Sequence, residues 1–517
     1  MLLVLGVGVA LAVFDRDDNT FNPDVGFVDT NEDTPSATAS RPRADEHPAD
    51  DGFSWPIYGY SKARTHHLAI ARAPRPPYRQ AWAVRGSVLL EFSPVLCGRR
   101  VYLLKNNGAL YAISRTTGRV SWKRKLGSLA AAAPACYRGT IYAVLLKRFS
   151  ESGGGRVIAV TARSGRTRWS HRLPSRSESS PLVDRGRVYI GSEDGTVYAL
   201  RTRDGKVRWR AKAAGAVKGA IALDAGKLYF GDYGGKVHAI RRSNGAKVWE
   251  KSPAAGGALG IGGGNFYSSA AVEYGRVYIG STNGNVYSLS SADGKLAWSR
   301  RTGGYVYASP AVGQARGGKP TVYIGSYDGN FYALDARTGR PRWVRSLGSK
   351  ISGAASIIGD LVFVSDLGSR STWALGAGTG KTVWKTHRGA FNPAISDGRR
   401  VYFTAYTSLF ALDQRGRPFD RSAQSRARDA RAARTANRRR AARAKAARQR
   451  VAQRKRARAI ARRERQLRYR FAPHGHRHSG KLGYKRSCHR HRHVYKLRGK
   501  TIVLRHSHCH SHIRARR

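Results

Sequence analysis

Tryptophan recurs at positions 82, 122, 169, 209, 249, 298, 343 and 384, so successive indoles stand 40 to 49 residues apart. That interval is the length of one four-stranded propeller blade. Seven of these tryptophans close an eleven-residue window: Ala112–Trp122, Ala159–Trp169, Ala199–Trp209, Ala239–Trp249, Ser288–Trp298, Ala333–Trp343 and Ala374–Trp384. In every copy Gly stands four residues before Trp, and Ala or Ser stands ten before it. Gly supplies the positive φ of a tight hairpin. Asp204-Gly205, Asn244-Gly245 and Asp293-Gly294 are hairpin dipeptides at that place, and Asp194-Gly195, Asn283-Gly284 and Asp328-Gly329 mark a second hairpin upstream.

Each repeat therefore reads as four strands. The innermost begins near a Ser-Pro or Ala-Pro pair, as at Ser93-Pro94, Ala133-Pro134, Ser180-Pro181 and Ser309-Pro310, with Asn392-Pro393 as the last. Proline is tolerated at a strand's first residue. Runs of the type Val188–Gly191 and Val197–Leu200 form the second and third strands, and the Trp strand is outermost. Its aromatic ring can bury roughly 150–250 Å² against the next blade. Inner and middle strands occur an eighth time over Asn392–Leu412, but the last window, Ala411–Phe419, lacks its Trp. Trp82 lies ahead of the first full repeat. Tyr78–Val84 is thus expected to supply the missing outer strand and close the ring, leaving no open array edge. The expected fold is all-β, an eight-bladed propeller over residues 78–420.

The window resembles the tryptophan-docking motif, Ala-x-Asp-x-x-Thr-Gly-Lys-x-x-Trp, of the quinoprotein-like (PQQ-repeat) eight-bladed propellers. Ala333–Trp343 matches it except for Arg340 at the Lys position, whereas Ser114, Thr161, Arg201, Arg241, Ser290 and Gly376 replace the Asp in other copies. The resemblance covers residues 78–419. Catalytic members of that family bind pyrroloquinoline quinone (PQQ) and calcium, using an Asp base, carboxylate and Asn metal ligands, and an adjacent cysteine pair over the cofactor. Here no two cysteines are adjacent. Acids are sparse in the repeats, and Asp194, Asp204, Asp293 and Asp328 sit in hairpin turns, where local backbone bonding explains them. Calcium needs six to eight oxygens, and repeats averaging about 43 residues leave little room for active-site insertions. No catalytic or cofactor-binding residue is expected, and PQQ and calcium are not expected. The resemblance favours the non-catalytic branch, which includes a scaffold lipoprotein of outer-membrane barrel assembly. A PQQ-dependent quinoprotein dehydrogenase stays as the alternative.

The formal charge of +62 is unevenly spread. Residues 15–51 carry 11 acids against 3 arginines, and residues 421–517 carry 34 Lys/Arg against 2 acids, which leaves about +38 on the rest. Such a body attracts polyanions in a salt-sensitive way. Residues 1–14 are apolar but shorter than the ~20 residues of a spanning helix, with no basic flank. They read as a truncated signal or membrane anchor, the annotated start lying too far downstream. The acidic side that follows favours export of the remainder. Residues 15–51 read as an acidic disordered linker. Residues 52–77 are an aromatic lead-in, Phe53–Tyr60, expected against the side or bottom of the propeller. Ala254–Asn265 is expected to be a mobile glycine-rich loop over the channel mouth. Cys97 and Cys136, on successive inner strands, either stay free or bridge neighbouring blades; free thiols are the expectation.

Residues 421–470 form an Arg/Ala-rich basic segment of good helix formers. Val451, Ile460 and Leu467 are too sparse for an apolar stripe, and like charges repel along it. An anionic partner would order it: wall polymers or lipid headgroups outside the cell, nucleic acid within. Ten of the sixteen histidines lie in the last segment, 471–517. Folded as a hairpin about Arg498-Gly499, it sets Cys488 opposite Cys509, His489 opposite His508 and His491 opposite His506. Period-two alternation puts those four histidines on one face. Two expectations follow: a Cys488–Cys509 disulfide, and zinc, copper or nickel on His489, His491, His506 and His508. The expected protein is a non-enzymatic binding or scaffold propeller at the extracytoplasmic face of the cell membrane. An intracellular nucleic-acid binder is a further alternative.

Overall fold

A computed structural model describes residues 19–28, 55–70, 73–146, 154–253, 264–392 and 394–415, and the backbone of 482–497 and 500–514. Eight four-stranded antiparallel sheets follow one another along residues 78–414. Blade 3 is typical, with strands Leu182–Asp184, Arg187–Gly191, Thr196–Arg201 and Val207–Lys212 from the inside outward. Its first two strands are wholly apolar or buried apart from Arg187, as expected of strands covered on both faces. The outer strand alternates half-buried and exposed residues.

The eighth blade is assembled from both ends of the propeller. Strands Ile395–Ser396, Arg400–Thr404 and Leu409–Gln414 are completed by Tyr78–Val84, with Trp82 opposite Ala411. The ring therefore closes as expected. The seam carries strong contacts. Arg400 grips Asp413 with Nε at 2.6 Å and Nη2 at 3.0 Å. Arg115 of blade 1 meets Asp397 of blade 8 at 2.7 Å, with both side chains buried.

Blade-to-blade docking rests on the tryptophans. Each indole of Trp82, Trp122, Trp169, Trp209, Trp249, Trp298 and Trp343 donates its N–H to a carbonyl of the following blade, for example Trp298 to Ala336 at 3.0 Å. Trp384, at the last junction, lies edge-on to Tyr78 with centroids 5.3 Å apart. The window glycine has a second reason to be glycine. At Gly205, φ is +71°, and a Cβ there would stand 2.5 Å from the ring of Trp169 in the preceding blade. Thus one blade's hairpin sits flat on its neighbour's indole.

Three expectations are corrected. Cys97 and Cys136 are not free thiols but a disulfide joining the innermost strands of blades 1 and 2, with Cα atoms 6.3 Å apart. Ring closure around a common axis brings adjacent inner strands within bridging reach. Residues 19–28, read as part of a disordered linker, instead lie along the outer edge of blade 5. Thr20 and Phe21 pair with Ser299 and Trp298, Val25 is buried, and Phe27 stacks on Tyr274 at 5.1 Å. Backbone pairing and two apolar side chains outweigh the acidic composition around them.

The third correction is the lead-in, which fills the channel rather than packing on the side. Carbonyls of Trp55, Pro56, Lys62, Ala63, Thr65 and His66 accept the N–H groups of Leu96, Cys136, Leu223, Val272, Val312 and Ile357. Each of those donors is the second residue of an innermost strand, in blades 1, 2, 4, 5, 6 and 7. An innermost strand would otherwise leave its channel-side edge unpaired. Blade 3 is reached by Arg64, whose buried guanidinium donates to the carbonyls of Ser180 and Ile221 at 3.0 Å and to that of Tyr58. Burial pushes Arg64 down to about 9 and His66 down to about 3, Arg64's charge adding to the second shift. His67 and Leu68 then add a parallel strand to Ser356–Ile358 of blade 7. Tyr60, Arg64 and His66 all have positive φ, so the segment is tightly coiled and held there by its contacts.

Residues 420–517 form a separate unit, in which Leu482–Leu497 and Lys500–Arg514 make a two-stranded sheet. Its register sets Cys488 opposite Cys509, His489 opposite His508 and His491 opposite His506, the expected pairing. The segments 1–14, 254–263 and 421–470 lie outside the described residues. Among the described residues no helix is long and apolar enough to cross a membrane.

Candidate functional site

The channel is closed from one side by the lead-in, and Tyr58 at its tip forms part of the floor of a cup of about 300 Å³. The walls come from corresponding positions of the blades. The residue four ahead of each innermost strand is Glu91, Ala131, Glu178, Lys218, Tyr267, Tyr307, Ser352 or Phe391 in blades 1 to 8. All but Ala131 line the cup. A second set, two residues after the second strand, includes Asn106, Glu193, Tyr233 and Tyr327. The propeller topology places both sets at the channel mouth: the innermost strand starts there, and the second strand ends there.

Two kinds of chemistry occupy adjoining arcs. Over blades 4 to 6 the rings of Tyr233, Tyr267, Tyr307 and Tyr327 form a chain with neighbouring centroids 6.4, 5.7 and 4.8 Å apart. Tyr305 extends it outward at 5.9 Å from Tyr307 and is 55% exposed. Lys218 Nζ lies 5.3 Å from the centre of the Tyr233 ring, and Lys350 Nζ lies 5.5 Å from that of Tyr327. Over blades 3 and 4 the charges are interleaved. Lys218 stands 3.3 Å from Glu178 and 3.5 Å from Glu193, and Arg176 stands 4.0 and 3.4 Å from the same two carboxylates. The Tyr267 hydroxyl donates to Glu178 at 3.1 Å. Burial, then the Glu178 charge, pushes the Tyr267 phenol well up.

Glu91 differs from the other two acids. Its carboxylate accepts one hydrogen bond, from the Asn106 amide at 2.9 Å, and no Lys or Arg pairs with it among the described residues. Burial, then the neighbouring Glu178 charge, raises its pKa, and the Asn106 bond lowers it.

The turn aspartates behave as the sequence suggested. Asp194, Asp204, Asp293 and Asp328 each accept the backbone N–H two residues on. The cup itself was not read from the sequence, although a signal was there: corresponding positions that vary from blade to blade. Among the described residues no group of three or more His, Cys, Asp or Glu is placed to hold a metal ion. The set available in the cup does not suit calcium. Glu178 and Glu193 already share two cations, and calcium asks for six to eight oxygens, several of them carboxylates.

A family model described as outer membrane protein assembly factor BamB matches residues 78–148, 146–261 and 314–495. The chain belongs to this BamB-type propeller family. Among solved structures, BamB from Moraxella catarrhalis is 18% identical with a TM-score of 0.54, covering 67% of this chain and 100% of that one. A quinohemoprotein alcohol dehydrogenase from Pseudomonas putida HK5 is 15% identical with a TM-score of 0.57, covering 71% and 81%. The computationally designed Ika8 protein is 14% identical with a TM-score of 0.53, covering 65% and 99%. These likenesses establish the fold, which BamB and the quinohemoprotein dehydrogenase share. No curated protein matches the chain.

Proposed function

We propose that this BamB-type chain is a non-enzymatic binding or scaffold protein of the cell envelope, acting at the extracytoplasmic face of the membrane. The observation that carries the reading is the split between its surfaces. The outer strands expose cations, as Lys123, Arg124 and Lys125 in blade 1, Arg208, Arg210 and Lys212 in blade 3, and Arg342 and Arg345 in blade 6. The mouth instead holds tyrosines and carboxylates, two of which are matched to cations. The rim suits anionic wall polymers or lipid headgroups, and the 421–517 segment carries 34 basic residues of its own. The Cys97–Cys136 disulfide supports an oxidising compartment. The description of the family as an outer membrane assembly factor fits a protein partner as well. Residues 1–14 serve as the membrane attachment in this reading. In the tail, Cys488 and Cys509 form a second disulfide, and His489, His491, His506 and His508 take a zinc, copper or nickel ion.

Flotation of residues 15–517 with vesicles tests the rim apart from the membrane attachment. Binding to vesicles rich in phosphatidylglycerol, absent with phosphatidylcholine and lost between about 0.05 and about 0.5 M salt, is the expected result. Equal binding to both lipids removes the charge-based reading, and selective co-purification with nucleic acid from cells replaces it with the polyanion binder. Labelling of Cys97 and Cys136 in intact cells without reductant would contradict export. Dye-linked alcohol oxidation after reconstitution with PQQ and calcium would restore the dehydrogenase alternative.

A further inference from the structure

We propose that the cup at the channel mouth binds an uncharged sugar ring, seated against the tyrosine arc and hydrogen-bonded to Glu91. The argument proceeds by elimination over the chemistry of the lining. An anion is disfavoured, since Glu91 has no cationic partner among the described residues and Lys218, the cation in the lining, is held by Glu178 and Glu193. A cation is disfavoured as well. The ends of the tyrosine arc already carry ammonium groups, Lys218 over Tyr233 and Lys350 over Tyr327, which repel a second positive charge. A wholly apolar ligand would bury the charged carboxylate of Glu91 and the hydroxyl of Ser352 without answering them.

A neutral polyhydroxylated ring meets all three conditions. Its C–H faces lie on aromatic rings, as Tyr307 and Tyr327 offer side by side at 4.8 Å. Its hydroxyls both donate and accept, which suits a carboxylate facing serine hydroxyls. A cavity of about 300 Å³ takes one or two such rings. The floor supports the same geometry. Tyr58 is buried, and its hydroxyl donates to Ser309 at 3.3 Å, so the channel does not continue as a through-pore for a long ligand. This inference stands apart from the envelope reading, because none of the rim cations contributes to the cup.

The test uses the full chain and isothermal titration with two neutral probes, maltotriose and tri-N-acetylchitotriose, beside glucosamine, glucuronic acid and a neutral tripeptide. The expected result is millimolar or tighter binding of at least one neutral sugar, with the charged sugars about tenfold weaker or worse. Tyr307→Ala should weaken that binding about tenfold while the unfolding midpoint moves little, and Tyr307→Phe should retain most of it. Glu91→Gln should weaken it severalfold. Absence of binding by both neutral sugars at about 10 mM overturns the proposal. So does tighter binding of a charged sugar or the tripeptide, or unchanged binding by Tyr307→Ala.

Discussion

At the outer radius the corresponding position of all eight blades is tryptophan; at the channel mouth it is Glu91, Ala131, Glu178, Lys218, Tyr267, Tyr307, Ser352 or Phe391. The two sets share backbone geometry, since each belongs to the same place in the same kind of sheet. They differ in what the ring asks of them. An outer position docks against a like neighbour, so one solution, an indole against a glycine, serves seven of the eight junctions, Trp384 meeting Tyr78 instead. A mouth position faces the axis, where all blades meet one common space, and identical residues would give only an eightfold-symmetric site. Uniformity therefore marks what holds the ring together, and variety marks where it can recognise something asymmetric.

The comparison can be broken most sharply at Trp298. Its indole is fully buried and donates to Ala336. Trp298→Ala should cost about 3–5 kcal/mol in chemical denaturation; a loss near that of a surface residue would remove the docking role. Gly205→Ala comes next. It demands a left-handed conformation and a Cβ 2.5 Å from Trp169, so a cost of about 2 kcal/mol is expected in the same assay.

The filled channel offers a third point. His66 is neutral in the fold, with its pKa held at about 3 against 6.5 when unfolded. The unfolded chain binds the extra proton between those values, so stability is lost as pH falls below 6.5. At pH 5 His66's share of the loss should be about 2 kcal/mol relative to pH 7, and His66→Leu should be spared that share, while His67, held down to about 4 by burial, keeps its own. Equal acid sensitivity of both proteins would show that another group governs. The smallest effect belongs to the mouth. Glu91→Gln should raise stability at pH 7 slightly, because burial and Glu178 disfavour the charged form. A marked loss would make Glu91 a structural residue after all.

This contrast also explains what was legible in the sequence. Period and motif give away the blades, and the absent eighth Trp together with the surplus Trp82 gives away the closure. The cup was written in the same repeats, but in positions where the copies disagree, and agreement is what a repeat search rewards. The lead-in was hidden for a different reason. Residues 55–66 bind chiefly through backbone carbonyls, which carry no residue-specific signature, and their neighbours are spread over residues 96 to 357. The 19–28 strap was masked by the acids around it. The Cys97–Cys136 bridge needed a distance between blades, which exists only once the ring is closed.

The coil inside the ring has a consequence for how the protein comes into being. It leaves the ribosome before any blade, yet its partners are made one after another behind it, and the strand holding Trp82 must wait for residues 409–414. The coil thus takes its shape only as the sheets gather round it, and only the final turn locks the wheel. A truncated chain would then be a wheel left unlocked, however many spokes it had.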